Sequence, residues 1–342
     1  MTSKPFAGAP AAHSNGAAKS GEILLDVKDL AVTAKGPDGE FPAVRGVTFS
    51  LHRGESLALV GESGSGKSVT ATAIAGLLSR NLVPTGSARF EGTELLGLSE
   101  QERQKLAGRR IGFIFQEPMS ALHPILTIGQ QIEEALMAHF DYSKAQRRDR
   151  VKELLDLVGL GKQRDVTKAL VGQLSGGMRQ RAMIAMAISC DPDLLFADEP
   201  TTALDVTLQR QVMDLLKSLQ DRLGLALILI THDLAVVSQT CERAAVMYAG
   251  QLVETGSTKQ VLSAPAHPYT TALLSAIPRL NDTRRRLPTV AGTAVGLRDE
   301  RSLPAEERTP SHLVEREVGH WVREPLSTAA VTGATTKLEK TR

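Results

Sequence analysis

The chain has 342 residues, 42% hydrophobic and 23% charged, a composition that excludes a fibrous or wholly disordered protein and allows one large domain with appendages. Lys and Arg total 40 against 38 Asp and Glu, a formal net charge of +2, so no global field favours nucleic acid and binding must come from a local site. Cys190 and Cys241 lack metal-site spacing and fit two buried thiols in a reducing compartment.

In chain order, residues 1–22 read as a flexible lead rich in Ala, Gly, Ser and Pro. They lack the apolar core of a signal peptide, so the chain is expected to stay in the cytosol. Ser56 to Val60 (SLALV) is predicted as a strand ending at Gly61, followed by a helix with Val69, Ala73 and Leu77 on one face. From Thr127 to Gly159 the period is helical throughout. Ile128, Ile132, Ala135 and Leu136 form one apolar stripe, and Val151, Leu154, Leu155 and Val158 form another. Thr127 with Gln130, and Ser143 with Gln146, read as capping boxes. This middle part is therefore predicted as an all-helical insertion.

Leu194 to Ala197 (LLFA) and Leu225 to Ile230 (LALILI) are apolar runs of the length expected for strands buried on both faces. They lead into Asp198-Glu199 and Thr231-His232. Between them, Val206 to Arg222 reads as an amphipathic helix with Leu208, Val212, Leu215 and Leu219 on one face and Gly224 as its stop. The longest strongly apolar stretch, Leu223 to Ile230, is far shorter than the ~18 to 20 residues that span a bilayer. The Arg147-Arg148 and Arg284-Arg285-Arg286 clusters read as solvated surface, and residues 327–342 read as a flexible end. No internal repeat is present. Alternating strands and helices imply an α/β fold with a largely parallel sheet, which binds ligands at the carboxyl ends of its strands.

Gly61-Glu62-Ser63-Gly64-Ser65-Gly66-Lys67-Ser68 matches GxxxxGK[ST] and lies between strand and helix, where a phosphate-binding loop must lie. Its glycines allow a tight turn that aims successive N–H groups and the helix N-terminus at the phosphates of ATP. Lys67 would reach the β and γ phosphates, and the Ser68 hydroxyl would ligate Mg²⁺. Asp198 is placed to hold Mg²⁺ through water. Glu199 is the candidate general base for the attacking water.

Leu174-Ser175-Gly176-Gly177-Met178-Arg179-Gln180-Arg181 resembles the signature of ABC ATPases, and the other elements of that family follow in order. Gln116 in Phe115-Gln116-Glu117-Pro118 resembles the Q-loop glutamine, Ala203-Leu204-Asp205 the D-loop, and His232 in Ile230-Thr231-His232-Asp233 the switch histidine. The resemblance covers about 23 to 279. It implies a P-loop NTPase core with an N-terminal antiparallel β subdomain and an inserted all-helical subdomain at about 90–180. A partly disordered C-terminal extension, 280–342, would follow. It further implies that Ser175, Gly176 and Gly177 cap ATP held by a second subunit, that Asp205 belongs to the nucleotide-binding residues, that Gln116 senses Mg²⁺ and the γ-phosphate, and that His232 contacts the γ-phosphate. The family's adenine contact is an aromatic residue on the first β-hairpin. Ala34 stands at its usual place, and Phe41 is the candidate substitute.

Phe115 to Pro124 (FQEPMSALHP), the GMRQR end of the signature, and Ala266 to Pro278 (AHPYTTALLSAIP) resemble the oligopeptide/dipeptide/nickel importers, in particular the first, D-type ATPase of the pair. The resemblance implies an ATP-hydrolysing subunit of an importer for peptides or similar small solutes, on the cytoplasmic face of the cell inner membrane. Its expected partners are a second, non-identical F-type ATPase, two transmembrane permease subunits and an extracytoplasmic solute-binding protein, with no nucleic acid. The alternative, a soluble ABC ATPase of translation or DNA repair, would usually show fused domains, coiled coils or zinc modules. Members of the group often carry an iron–sulfur cluster after the HPYT segment. Here no cysteine follows Cys241, and Arg323 and Glu324 stand after His320-Trp321-Val322, so no cluster is expected.

Overall fold

Residues 21–37, 39–161, 165–202, 204–276 and 311–325 are described by a computed structural model. The chain begins with two long antiparallel strands, β1 (Ile23–Gly36) and β2 (Gly39–His52). Alternation turns Leu25, Val27 and Val32 of one strand, and Val44, Val47 and Leu51 of the other, into a shared core. Next comes β3 (Ser56–Val60), buried at every position, then the glycine loop and α1 (Lys67–Ile74). The helix is shorter than its apolar spacing suggests. It is capped at Ala75, Gly76 turns the chain with φ 72°, and Leu77 is left 43% exposed. β4 (Leu82–Phe90) and β5 (Thr93–Glu94) return to the first sheet, whose order is β2-β1-β4-β5.

The next segment is mostly helical: α2 (Glu100–Leu106), α3 (Pro118–Ala121), α4 (Ile128–His139), α5 (Lys144–Leu157) and α6 (Gly176–Ala187). Both capping boxes form, Thr127 with Gln130 on α4 and Ser143 with Gln146 on α5. The two predicted stripes face inward, with Ile128, Ile132 and Leu136 packed among Val151, Leu154, Leu155 and Val158. The span expected to be helical, about 90–180, also holds a strand, β6 (Ile111–Ile114). It pairs in parallel with β7 (Leu194–Asp198) in the central sheet. The contiguous helical part therefore starts after β6.

After β7 come α7 (Val206–Leu223), β8 (Ala226–Thr231), α8 (Leu234–Thr240), β9 (Arg243–Tyr248), β10 (Gln251–Ser257), α9 (Thr258–Ser263) and α10 (Pro268–Ser275). α7 ends at Gly224, φ 65°, as its sequence predicts. Its buried face is rotated from the predicted one: Val212, Met213, Leu216 and Leu219 are buried, while Leu208 and Leu215 are only half-buried. Beyond the boundary expected near 279, β11 (Ser311–Glu317) and β12 (His320–Pro325) form an antiparallel hairpin. This hairpin extends the same sheet, Glu254 pairing with Val322 and Thr255 with Trp321. The order is β11-β12-β10-β9-β3-β8-β7-β6.

β3 lies between β9 and β8, with β7 next, all parallel, so the loops at their carboxyl ends open side by side on one edge. Cys190 and Cys241 are buried free thiols. Among the described residues no helix is long and apolar enough to cross a membrane. The N-terminal lead to residue 20, the Arg284-Arg285-Arg286 cluster, the end from 327 and Ala203 lie outside the described residues.

Candidate nucleotide-binding and catalytic site

The phosphate loop is shaped by its glycines and by close backbone neighbours. Gly61 (φ 154°) and Gly66 (φ 103°) sit where an added Cβ would lie 2.2 Å from the Met247 carbonyl oxygen and 2.9 Å from that of Ala43. A side chain would fit at neither position. Lys67 crosses the loop. Its Nζ donates to the Gly61 and Glu62 carbonyls, both at 2.8 Å. Burial pulls the Lys67 pKa down, against the pull of the Glu199, Asp198 and Glu62 charges. The loop rims a cleft of about 790 Å³ lined by Glu62, Ser63, Gly64, Gly66, Lys67 and Ser68, a size suited to a nucleotide.

At the end of β7 the two acids have different surroundings. Asp198 is buried and its Oδ1 accepts the Ser68 hydroxyl at 2.9 Å. Burial raises its pKa despite that bond, and the Glu199 charge adds to the rise. A carboxylate made costly by burial and paired with a hydroxyl suits a hard divalent cation, which takes oxygen donors and stabilises the ionised form. Ser68 and Asp198 therefore fit Mg²⁺.

Glu199 adopts φ 43°, an uncommon conformation for a residue with a side chain, and its N–H is held by the Ile230 carbonyl at 2.9 Å. Three side chains surround its carboxylate: Thr202 Oγ1 donates to Oε2 at 2.8 Å, Gln116 Nε2 donates to Oε2 at 3.2 Å, and His232 Nδ1 lies 3.2 Å from Oε1. Burial alone would raise the Glu199 pKa. The Thr202 and His232 bonds and the His232 and Lys67 charges outweigh it and hold the group ionised.

Gln116, Glu199 and His232 all line the cleft with the phosphate loop, so segments far apart in sequence converge on one place. Gln116 is bonded to Glu199 and not to the Ser68–Asp198 pair. Phe41 lines the cleft too, 41% exposed, and pairs directly opposite Ala34 in the β1–β2 register. The hairpin thus presents an aromatic ring from the strand facing the usual position.

The signature residues do not line this cleft. Ser175 caps α6, accepting the Met178 N–H at 3.4 Å, and both Ser175 and Gly176 are exposed. Gly177 packs under Leu208, whose Cδ2 an added Cβ would meet at 3.2 Å. Asp205 caps α7, its Oδ1 accepting the Leu208 N–H at 2.9 Å. Thr202, three residues after Glu199, is readable in the sequence only as part of a local turn. Ala43, Val69 and Leu273 are apolar walls of the cleft; the sequence marks Val69 only as a helix-face residue and Leu273 only as part of the AHPYTTALLSAIP segment, and Ala43 not at all.

Residues 44–202 match the ABC transporter family, and residues 253–302 match the oligopeptide/dipeptide transporter C-terminal region. The oligopeptide transport ATP-binding protein OppD of Escherichia coli is 47% identical over 300 residues, 87% of this chain and 89% of that protein. The dipeptide transport ATP-binding protein DppD of Haemophilus influenzae is 48% identical over 277 residues, 81% and 84% of the two chains. Among solved structures, the ATP-binding cassette MJ0796, a dimer bound to ADP and Pi in a post-hydrolysis state, aligns with a TM-score of 0.62 at 30% identity. The alignment covers 69% of this chain and 99% of that one.

Proposed function

The chain belongs to the ATP-binding, ATP-hydrolysing subunits of the oligopeptide and dipeptide ABC transporters, and on that premise we propose that it drives peptide import as one half of a paired motor. The single observation that carries the mechanism is an asymmetry. Lys67, the Ser68–Asp198 pair and the Glu199 cluster share one cleft, whereas the hydroxyl-and-glycine N-terminus of α6 faces outward.

In this reading the 61–68 backbone and Lys67 hold the ATP phosphates, and Phe41 stacks on the adenine. Ser68 and Asp198 hold Mg²⁺, which when bound neutralises charge on the phosphate oxygens. Glu199, kept ionised, orients and accepts a proton from the attacking water. Thr202, Gln116 and His232 fix the carboxylate, and His232 meets the γ-phosphate. Ser175, Gly176 and Gly177, with Asp205 nearby, cap ATP held by a second, F-type subunit, whose own signature closes this cleft. Phosphoryl transfer depends on positioning and charge neutralisation, so joining two half-sites is enough to switch it on. The other partners are two permease subunits and an extracytoplasmic solute-binding protein, with the motor on the cytoplasmic face of the inner membrane.

The test is reconstitution in proteoliposomes of this chain with a second, F-type ATPase and two peptide-permease subunits. Hydrolysis stimulated by peptide-loaded binding protein, together with peptide uptake, is the expected result. Brisk hydrolysis by the purified chain alone, indifferent to those partners, would overturn the reading.

A further inference from the structure

Within the phosphate loop, the Glu62 N–H is bonded across 207 residues of sequence, to the Tyr269 hydroxyl on α10 at 3.1 Å. Tyr269 is fully buried, its ring 4.4 Å from that of Tyr248 at the end of β9. Burial pushes its phenol up to about 12, so the hydroxyl stays neutral. One turn further along α10, Leu273 lines the cleft itself. This helix is therefore a wall of the site as well as a support for the loop.

The first turn of α10 is clamped from beneath. The Tyr269 N–H donates to His267 Nδ1 at 3.1 Å. The N–H groups of Ala266 and His267 donate to the two carboxylate oxygens of Glu254, at 2.9 and 3.0 Å. His320 Nε2, from β12, completes the set 2.7 Å from Glu254 Oε1. Glu254 is 0% and His320 3% exposed. A buried carboxylate is tolerated only when fully bonded, so removing one donor disturbs the whole clamp. The contacts form one connected line from hairpin to phosphate loop: His320, Glu254, His267, Tyr269, Glu62.

We propose that Tyr269 is a positioning residue of the nucleotide site, its hydroxyl holding the phosphate loop through the Glu62 N–H while Glu254, completed by His320 of the C-terminal hairpin, holds Tyr269 in place. The inference rests on the reading of residues 61–68 as the ATP phosphate loop. It gives the β11–β12 hairpin a role in nucleotide affinity although none of its residues lines the cleft.

The test is titration calorimetry of MgATP into the purified full chain, and KM and kcat in the reconstituted transporter, for Tyr269→Phe, His320→Ala, His320→Gln and Lys67→Ala. Phe keeps the ring against Tyr248 and deletes only the hydroxyl that accepts the Glu62 N–H. Tyr269→Phe is expected to raise the ATP Kd by about 3- to 10-fold, the range of one hydrogen bond, with the fold-rise in KM exceeding the fold-fall in kcat. His320→Ala shifts Kd the same way, His320→Gln restores a donor and much of the affinity, and Tyr269→Phe adds little on top of His320→Ala, as for coupled residues. A Kd for Tyr269→Phe equal to wild type, with only the melting temperature lowered, overturns the proposal and leaves the tyrosine purely structural. If Lys67→Ala also binds ATP as wild type does, the phosphate-loop reading fails with it. If only Lys67→Ala loses binding, the loop stands and the tyrosine's role falls.

Discussion

Among the described residues, two glycine-rich segments open helices, and their surroundings differ. The first, 61–68, is embedded: Gly61 and Gly66 press against backbone carbonyls, and Lys67 is buried among bonded partners. The second, at the start of α6, is more open: Ser175 and Gly176 are exposed, and the atoms nearest a Cβ at Gly177 belong to the flexible Leu208 side chain. Both can cradle a phosphate by the same physics of oriented N–H groups and helix dipole. Only the first is surrounded by the acids, amide and imidazole that chemistry needs. The embedded segment carries the groups of a candidate site; on the proposed reading the open one is half of a site.

The largest effect that sharpens this contrast is on turnover. Glu199→Gln should lower hydrolysis by the assembled transporter about 10³-fold while ATP remains bound, measured by phosphate release and by calorimetry. Retention of more than a tenth of the activity would place the base elsewhere.

Backbone crowding gives the next largest difference. Gly61→Ala should destabilise the fold by about 3 kcal/mol, since neither its φ nor the Met247 carbonyl can accommodate the methyl group. Gly177→Ala, whose nearest neighbour is the movable Leu208 side chain, should cost less than about 1 kcal/mol. Urea unfolding of both variants decides it, and equal losses would break the comparison.

Affinity should divide the same way. Lys67→Ala should weaken ATP binding by the isolated chain about 30-fold, the loss of a charge-assisted contact. Ser175→Arg should change that affinity less than about twofold yet still cut hydrolysis in the assembled pair. A large affinity loss for Ser175→Arg in the isolated chain would bring the signature into the chain's own site.

The last effect is absent near neutral pH and appears only in alkali, in the core cluster that holds Cys241. Burial raises the Cys241 thiol from 9.0 to about 12, so the folded state retains a proton that the unfolded state has already released. The resulting stability is complete below pH 9 and is lost as pH rises toward 12. Melting temperature followed over that range should fall, and Cys241→Ala should make the fall shallower.

Much of this architecture was legible from local pattern. SLALV reads as a buried strand because five apolar or small residues end at a glycine, and the structure has β3 over those residues. The Thr127–Gln130 and Ser143–Gln146 boxes are local bonds between residues three apart, so sequence alone specifies them. α1 stopping before Leu77 and the rotated face of α7 were less legible, because tertiary packing overrides a four-residue spacing.

By itself, then, the sequence determined the phosphate loop, the acidic pair after an apolar strand, the signature and the caps, all of which depend on residue identity within a few positions. The tertiary structure decided which distant segments share an edge. β6 joins the central sheet from within a mostly helical stretch, β11 and β12 extend that sheet from beyond the expected domain end, and Phe41 faces the cleft from opposite Ala34. It also decided that Gln116, Thr202 and His232 meet on one carboxylate and that Tyr269 reaches back to Glu62. The reason is physical: a local motif is encoded by the residues that form it, whereas a contact across 83 or 207 positions exists only after strand pairing and core burial have offset the entropy of closing the chain between them.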